Sequence, residues 1–318
     1  MVIRKAVIPA AGRGTRLYPL TKSQPKEMLP LGRKPTIQYV AEELAASGCD
    51  RIVIVTGRNK RAIEDHFDRA QYSDSNSDAD GLYELYRRGV SFFYTRQAEP
   101  QGLGAAVLTA RGFTADEPFV VALGDVVMRG SGGREALLER MMRVFAERAA
   151  VAVVAVREVA PETVSRYGIV CPASPVGPCF RIGGLVEKPA PAAAPSNLAI
   201  TARYLFGPQI HDYLERTPRG LGGEVQLTDA IHLMAQEGLP VWGVRLEPGE
   251  RRHDVGDLGQ YLRAFLEVSL ADEQLGAELH AYVSGLVRPM AQGEERPQVP
   301  PASSDDREGG ETTPASSP

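Results

Sequence analysis

The chain has 318 residues, a formal net charge of −4 and 43% hydrophobic residues, as expected of a soluble globular protein with one large domain or two small ones. A mild acidic balance gives no general attraction to nucleic acid or to an anionic membrane, so no nucleic acid and no membrane partner is expected and any functional cations must act locally.

Met1-Val2-Ile3-Arg4-Lys5 passes straight into the apolar run Ala6 to Ile8, which reads as a buried strand. No apolar signal segment precedes it and no later run approaches a membrane span, so a cytoplasmic protein is expected. A long loop follows, Pro9 to Pro30, and then a helix over Pro35 to Ser47 whose apolar residues Ile37, Val40, Ala41 and Leu44 fall at helical spacing. Gly48 stops that helix and Arg51 to Thr56 is a second, continuously apolar strand, which makes a parallel, right-handed crossover with the first. Asn59 is placed to cap a short helix carrying Ile63 and Phe67, and the Ser- and Asp-rich stretch Gln71 to Gly81 reads as a solvated loop. Val90 to Thr95 is a third strand, Gly102 to Arg111 a helix, and Pro118 to Leu123 a fourth strand ending at Gly124-Asp125. Arg134 to Arg148 has a broad apolar helical face and Val151 to Val156 is another apolar strand. This alternation predicts a doubly wound, Rossmann-like α/β sheet, in which ligands bind at the carboxyl ends of the strands. The loop after the first strand and Asp125 both fall there.

From Pro161 the texture changes to short β-like pieces, Gly168 to Cys171, Arg181 to Glu187 and Leu198 to Phe206, broken by Pro, Gly and Ala. A mixed, β-rich region inserted over the sheet edge is expected. Helices are expected over Pro208 to Arg216 and Gln226 to Glu237, a strand over Val241 to Leu246, and C-terminal helices over Asp257 to Val287 with a break near Asp272. Beyond Pro289 the aromatics vanish, and residues 289–318 are expected to form a disordered tail. Cys49, Cys171 and Cys179 lack metal-ligand spacing and read as ordinary thiols.

The loop Pro9 to Pro30 carries the chemistry. Gly12 and Gly14 permit positive φ and a close approach of backbone to ligand, Thr15 adds a hydroxyl, and Arg13, Arg16, Lys22 and Lys26 supply cations. A plain Gly- and Pro-rich surface loop is the alternative, and it leaves these cations unexplained. The loop is no Gly-x-x-x-x-Gly-Lys-Ser/Thr motif, and Leu17 departs from the Gly-x-Gly-x-x-Gly fingerprint. A phosphate-rich ligand is expected, held in another way.

Gly12 to Arg16, Pro19 to Lys22 and Pro25-Lys26-Glu27-Met28-Leu29-Pro30, taken with Pro118 to Asp125, Gly168, Glu187-Lys188-Pro189 and His253-Asp254, form a set. With them the chain resembles the sugar-1-phosphate nucleotidylyltransferases, most closely the bacterial UTP:glucose-1-phosphate uridylyltransferases. Lys34 to Val40, Ser196 to Ile200 and Glu224-Val-Gln-Leu-Thr-Asp-Ala-Ile231 look like that subgroup, and the resemblance spans about residues 4 to 285.

The resemblance implies a nucleotide-diphospho-sugar transferase fold: a nucleotidylyltransferase domain over 1–288, with a nucleotide-binding part at 1–160, a sugar-binding part at 161–256 and C-terminal helices at 257–288. It implies UTP and glucose 1-phosphate as substrates, UDP-glucose and pyrophosphate as products, Mg2+ as cofactor, and a homo-oligomer, dimer or tetramer. By the same resemblance Ala10, Ala11, Gly12, Gly14 and Thr15 cradle the nucleotide, Arg16 guards the leaving pyrophosphate and Lys26 contacts the nucleotide phosphates. Gln97 and Gly102 read the base. Gly168, Glu187 and Asn197 lie along the sugar, Lys188 binds its phosphate, and Asp125 with Asp254 holds the metal. His253 is expected to be structural. Leu123-Gly124-Asp125 resembles the thymidylyl relatives instead, which leaves open a dTTP-dependent transferase, and a catalytically weak regulatory paralogue is a further alternative.

Overall fold

The computed structural model describes residues 3–68, 81–130 and 135–287. The chain divides into two compact units on either side of the Val268-Ser269 bond. The strands are β1 (Lys5–Pro9), β2 (Pro30–Leu31), β3 (Lys34–Pro35), β4 (Arg51–Thr56), β5 (Ser91–Arg96), β6 (Phe119–Ala122), β7 (Val126–Arg129), β8 (Ala152–Glu158), β9 (Gly168–Pro172), β10 (Cys179–Glu187), β11 (Leu198–Phe206), β12 (Val241–Arg245) and β13 (Arg251–Asp254). The helices are α1 (Thr36–Ala46), α2 (Arg61–His66), α3 (Leu82–Arg87), α4 (Leu103–Thr109), α5 (Arg111–Thr114), α6 (Leu137–Glu147), α7 (Ile210–Arg216), α8 (Leu227–Gln236), α9 (Leu258–Leu270) and α10 (Gly276–Val287).

A nine-stranded sheet runs in the order β5-β4-β1-β6-β11-β8-β12-β10-β9. β5, β4, β1 and β6 are parallel, β11 enters antiparallel to both β6 and β8, and β10 is antiparallel to its neighbours β12 and β9. The sheet is therefore mixed, and its middle strand comes from beyond residue 160. The later strands extend the same sheet; they form no second layer over its edge.

The pleat explains why the run Ala6 to Ile8 in β1 is apolar without alternation. Successive side chains point to opposite faces. Ala6 and Ile8 of β1 pack in one core with Ile37, Val40, Ala41 and Leu44 of α1 and Leu138 and Met141 of α6. Val7 points to the other core, with Val107 of α4, Ile210 and Leu214 of α7 and Ile231 of α8. Both faces are covered by helices, so the inner positions Ala6, Val7 and Ile8 are all apolar.

Three local expectations are corrected. Asn59 does not cap α2, because that helix starts after Lys60; Asn59 instead sits in a left-handed turn at φ 64°. The opening loop contains single 3-10 turns at Thr15–Leu17 and Lys26–Met28, and Pro30–Leu31 closes a short hairpin with Lys34–Pro35. The helix expected over Gly102 to Arg111 is divided at Ala110, α4 ending at Thr109 and α5 starting at Arg111. The expectations for residues 71–80 and for the tail 289–318 lie outside the described residues. In the second unit, Asp272 accepts hydrogen bonds from the N–H groups of Gln274 and Leu275 at 3.0 and 2.9 Å, and α10 starts just after this turn. Among the described residues no helix is long and apolar enough to cross a membrane.

Arg203, in β11, has a fully buried side chain and joins three parts of the first unit. Its Nη2 donates to Glu43 Oε2 of α1 at 2.6 Å and to the carbonyl of Val126 at 2.9 Å, and its Nη1 donates to the carbonyl of Ala202 at 3.0 Å. Removing the guanidinium strands all three acceptors. Arg203→Met is expected to lower unfolding stability by about 3 kcal/mol, and Glu43→Gln by less because Glu43 is partly exposed, as measured by denaturant titration.

Candidate active site

The end of β1 delivers the chain to the carboxyl edge of the sheet. Ala10 is buried and its N–H donates to the carbonyl of Val55 at 2.9 Å, so it anchors the loop from behind. Gly14 is left-handed at φ 68°, a conformation only glycine adopts freely, and its carbonyl accepts from the Thr21 hydroxyl at 2.8 Å. This fold-back lays Lys26 beside the glycines: a Cβ on Gly12 would stand 3.8 Å from Lys26 Cε, and one on Gly14 3.4 Å from Lys26 Cβ. The two ends of the motif meet here, forming one wall of a cavity of about 550 Å³.

Lys26 Nζ donates to the Asp125 carboxylate, and the two side chains are only 18% and 13% exposed. Burial opposes charge on both. For Lys26 the carboxylates of Asp125, Glu27 and Asp254 more than compensate, and its pKa is held above the usual lysine value. For Asp125 the ion pair and hydrogen bond to Lys26, with a further contribution from Arg252, hold the carboxyl below the usual range. Both groups are therefore charged at neutral pH.

Asp254 reaches the same place through a ladder of β13 with β7, in which Asp254 lies opposite Val126. The N–H of Val255 donates to the Asp125 carbonyl at 2.9 Å, which closes the ladder at Asp125 itself. Arg252 Nη2 pairs with Asp254 Oδ2 at 2.7 Å, and the guanidinium stands 5.9 Å from the Tyr167 ring centroid. Asp125 and Asp254 thus offer hard oxygen donors at one end of the cavity, each engaged by one cation. Among the described residues no cluster of three or more acidic, His or Cys side chains could hold a metal by itself. Two carboxylates completed by substrate phosphate and water oxygens suit Mg2+, which keeps several waters and takes few protein ligands. His253 faces away from this pair, buried, with burial holding its pKa below the usual histidine value.

The opposite end is built from β10 and α8. Glu187 closes β10; its Oε2 accepts from the Thr228 hydroxyl at 2.7 Å and its Oε1 pairs with Lys188 Nζ at 3.1 Å. Lys188 has φ 46°, a strained setting for a side chain with Cβ, held by its N–H bond to the Tyr167 carbonyl at 3.0 Å. Its side chain remains 43% exposed, so the ammonium can exchange Glu187 for a soluble anion. A Cβ on Gly168 would stand 3.0 Å from Thr228 Oγ1 and 3.2 Å from Glu187 Oε2, so a larger residue would enter the space in front of that carboxylate.

Between these ends, Gln97 is almost fully buried after β5 and its Nε2 donates to the Gly102 carbonyl at 3.2 Å. Gly102 has φ 101°, and a Cβ there would meet Glu224 Cβ and the Val225 carbonyl at 2.8 Å, so glycine is required by both conformation and space.

Of the sequence-predicted site residues, Ala11, Gly12, Arg16, Lys26, Gln97, Gly102, Asp125, Gly168, Glu187, Lys188 and Asp254 line the cavity. Ala10, Gly14, Thr15 and Asn197 do not: Ala10 is buried behind the wall, Gly14 shapes the loop, Thr15 is exposed on a 3-10 turn, and Asn197 is exposed with its carbonyl accepting from Val159. Arg166, Tyr204, Gln226, Thr228 and Arg252 also line it, beyond the residues that the sequence motifs point to one by one. Gln226 and Thr228 belong to the motif Glu224 to Ile231, whose place opposite Glu187 only the fold reveals; Arg252 had no signal beyond standing two residues before Asp254.

The family model described as nucleotidyl transferase matches residues 5–270. A UTP--glucose-1-phosphate uridylyltransferase of Bacillus subtilis (strain 168) is 42% identical over 292 residues, covering 90% of this chain and 97% of the relative. The crystal structure of a UDP-glucose pyrophosphorylase complexed with UDP-glucose superimposes with a TM-score of 0.77 at 36% identity, covering 85% of this chain and 100% of that one. A UTP-bound UGPase from Acinetobacter baumannii gives a TM-score of 0.78 at 36% identity, over 89% and 99% of the two chains. The chain belongs to the nucleotidyl transferase family, within its UTP--glucose-1-phosphate uridylyltransferase branch.

Proposed function

We propose that this chain transfers UMP from UTP to glucose 1-phosphate, giving UDP-glucose and pyrophosphate, with Mg2+ as cofactor and in the cytoplasm. The observation that carries this reading is the convergence of Lys26, Asp125, Asp254 and Lys188, from four separate stretches of chain, on a single cavity. A phosphate oxygen of the sugar phosphate attacks the α-phosphorus of UTP, a P–O bond forms there, and the bond to the β-phosphate oxygen breaks, releasing pyrophosphate. The attacking oxygen is already ionised at neutral pH, so no general base is needed. What the site must supply is alignment and charge neutralisation.

In this reading the loop through Gly12, Gly14 and Thr15 shapes the nucleotide site, with Ala10 and Ala11 beneath it. Lys26 and Arg16 neutralise the phosphates, Arg16 on the departing pyrophosphate. Gln97 and the Gly102 backbone meet the base. Glu187 accepts from sugar hydroxyls, with Gly168 leaving room for them and Asn197 at the margin, and Lys188 brings in the sugar phosphate. Asp125 and Asp254 would hold Mg2+, which when bound supplies electrostatic stabilisation of the phosphate oxygens. Residues 1–160 serve the nucleotide and 161–256 the sugar. Oligomerisation is supported by α9, where Leu258, Leu262 and Leu266 form a half-exposed apolar row.

The dTTP reading derives from Gly124. That glycine sits behind Asp125, where a Cβ would be 3.1 Å from Ile8 Cγ2 and 3.2 Å from Glu27 Cγ, so its smallness is explained by packing. A coupled assay comparing UTP, dTTP and CTP is expected to favour UTP; a higher kcat/KM for dTTP would overturn the uridylyl assignment. Asp125→Ala and Lys188→Ala are each expected to reduce turnover by about 100-fold or more with the fold intact by circular dichroism. For Arg16→Ala, turnover with UTP should fall more than calorimetric affinity for UDP-glucose, because the product lacks the pyrophosphate. Chelation of divalent cations should stop turnover, and added Mg2+ should restore it.

A further inference from the structure

Glu27 lines the cavity directly after Lys26 in sequence, yet the transfer chemistry gives it no task. Its side chain is 1% exposed, and its Oε2 accepts a 2.7 Å hydrogen bond from the ammonium of Lys60, which is 5% exposed. Lys60 does not line the cavity; it stands 33 residues further along the chain, where the left-handed turn at Asn59 leads into α2. A fully desolvated ion pair is weak evidence of stability, because the cost of removing two charges from water offsets most of their attraction. Another reason for this pair lies in its surroundings. Lys26 and Glu27 share one tight turn, and Glu27 is among the anions that act on the Lys26 ammonium. Burial pushes the Glu27 carboxyl up, and after Lys60 the cation that most opposes this is Lys26, so a Glu27 carboxylate that loses Lys60 is left with Lys26 as its main counter-charge.

We propose that Lys60 is a positioning residue for nucleotidyl transfer: by engaging Glu27 it leaves the Lys26 ammonium on the Asp125 side of the cavity, available to the nucleotide phosphates. The proposal rests on the reaction proposed above. Lys60 touches no substrate in this scheme and acts only by occupying a competing anion. Lys26 exchanges its carboxylate partner for a phosphate oxygen when nucleotide enters. That exchange is easy from one partner and slow from two, because the second carboxylate must also be left unpaired in a dry site.

The test compares wild type with Lys60→Met, Lys60→Arg and the double variant E27Q/K60M. It follows UDP-glucose formation, calorimetric binding of UDP-glucose and thermal unfolding. Lys60→Met is expected to lower kcat about tenfold with UDP-glucose affinity changed by less than about twofold, and Lys60→Arg to keep most of the turnover. E27Q/K60M, which removes the competing charge, should recover to within about threefold of wild type. A kcat for Lys60→Met equal to wild type would overturn the proposal. So would a double variant as slow as the single one, since the pair itself would then be what matters. If Lys60→Met does not fold, E27Q/K60M alone decides, by recovery or by loss. A wild type that releases no pyrophosphate from UTP and glucose 1-phosphate would overturn the reaction and the proposal together, whereas an active wild type with an unaffected Lys60→Met overturns the proposal alone.

Discussion

The ion pair between Lys26 and Asp125 is the constraint on which the site depends. It joins the end of the opening loop to the end of β6, with the lysine stem lying against Gly12 and Gly14 of that loop. Desolvation works against both charges, so the pair is sustained by the carboxylates and cations packed around it. A cavity wall with its charges balanced in this way can be opened by a polyanion, which offers Lys26 an alternative partner and frees Asp125 for another cation. An apolar substitute would pack at least as stably and would do nothing for a phosphate.

Much of the sheet could be read before the structure because both of its faces are covered. β1, β4, β6 and β8 are short continuous apolar runs, and such runs announce themselves whatever their neighbours. The order of strands is another matter. Nothing in the periodicity of Leu198 to Phe206 says that it lies between β6 and β8, since partner choice is set by tertiary packing over long separations. β7 and β13 carry little signal for a related reason: each has only four residues, and β13 is Arg251-Arg252-His253-Asp254, with no apolar run. Yet this ladder is what brings Asp254 to Asp125.

The same contrast runs through the site. Lys26, Glu187 and Lys188 stood out because they lie within recognisable motifs. Thr228 meets Glu187 and Arg252 meets Asp254, each at 2.7 Å and each from another element or position whose pairing local sequence does not show, even though Thr228 stands within the Glu224 to Ile231 motif. Asn59 shows the opposite error, in which a residue type favoured at helix caps is used here for its tolerance of positive φ.

The antiparallel entry of β11 into the middle of the sheet also limits how the protein can move. Its hydrogen bonds reach β6 on one side and β8 on the other, and it contacts β9 through the Ala199–Ile169 register pair. The strand that carries Glu187 and the strand that leads to Asp125 thereby belong to one continuous hydrogen-bonded sheet. The distance across which the two phosphates meet is a property of the sheet.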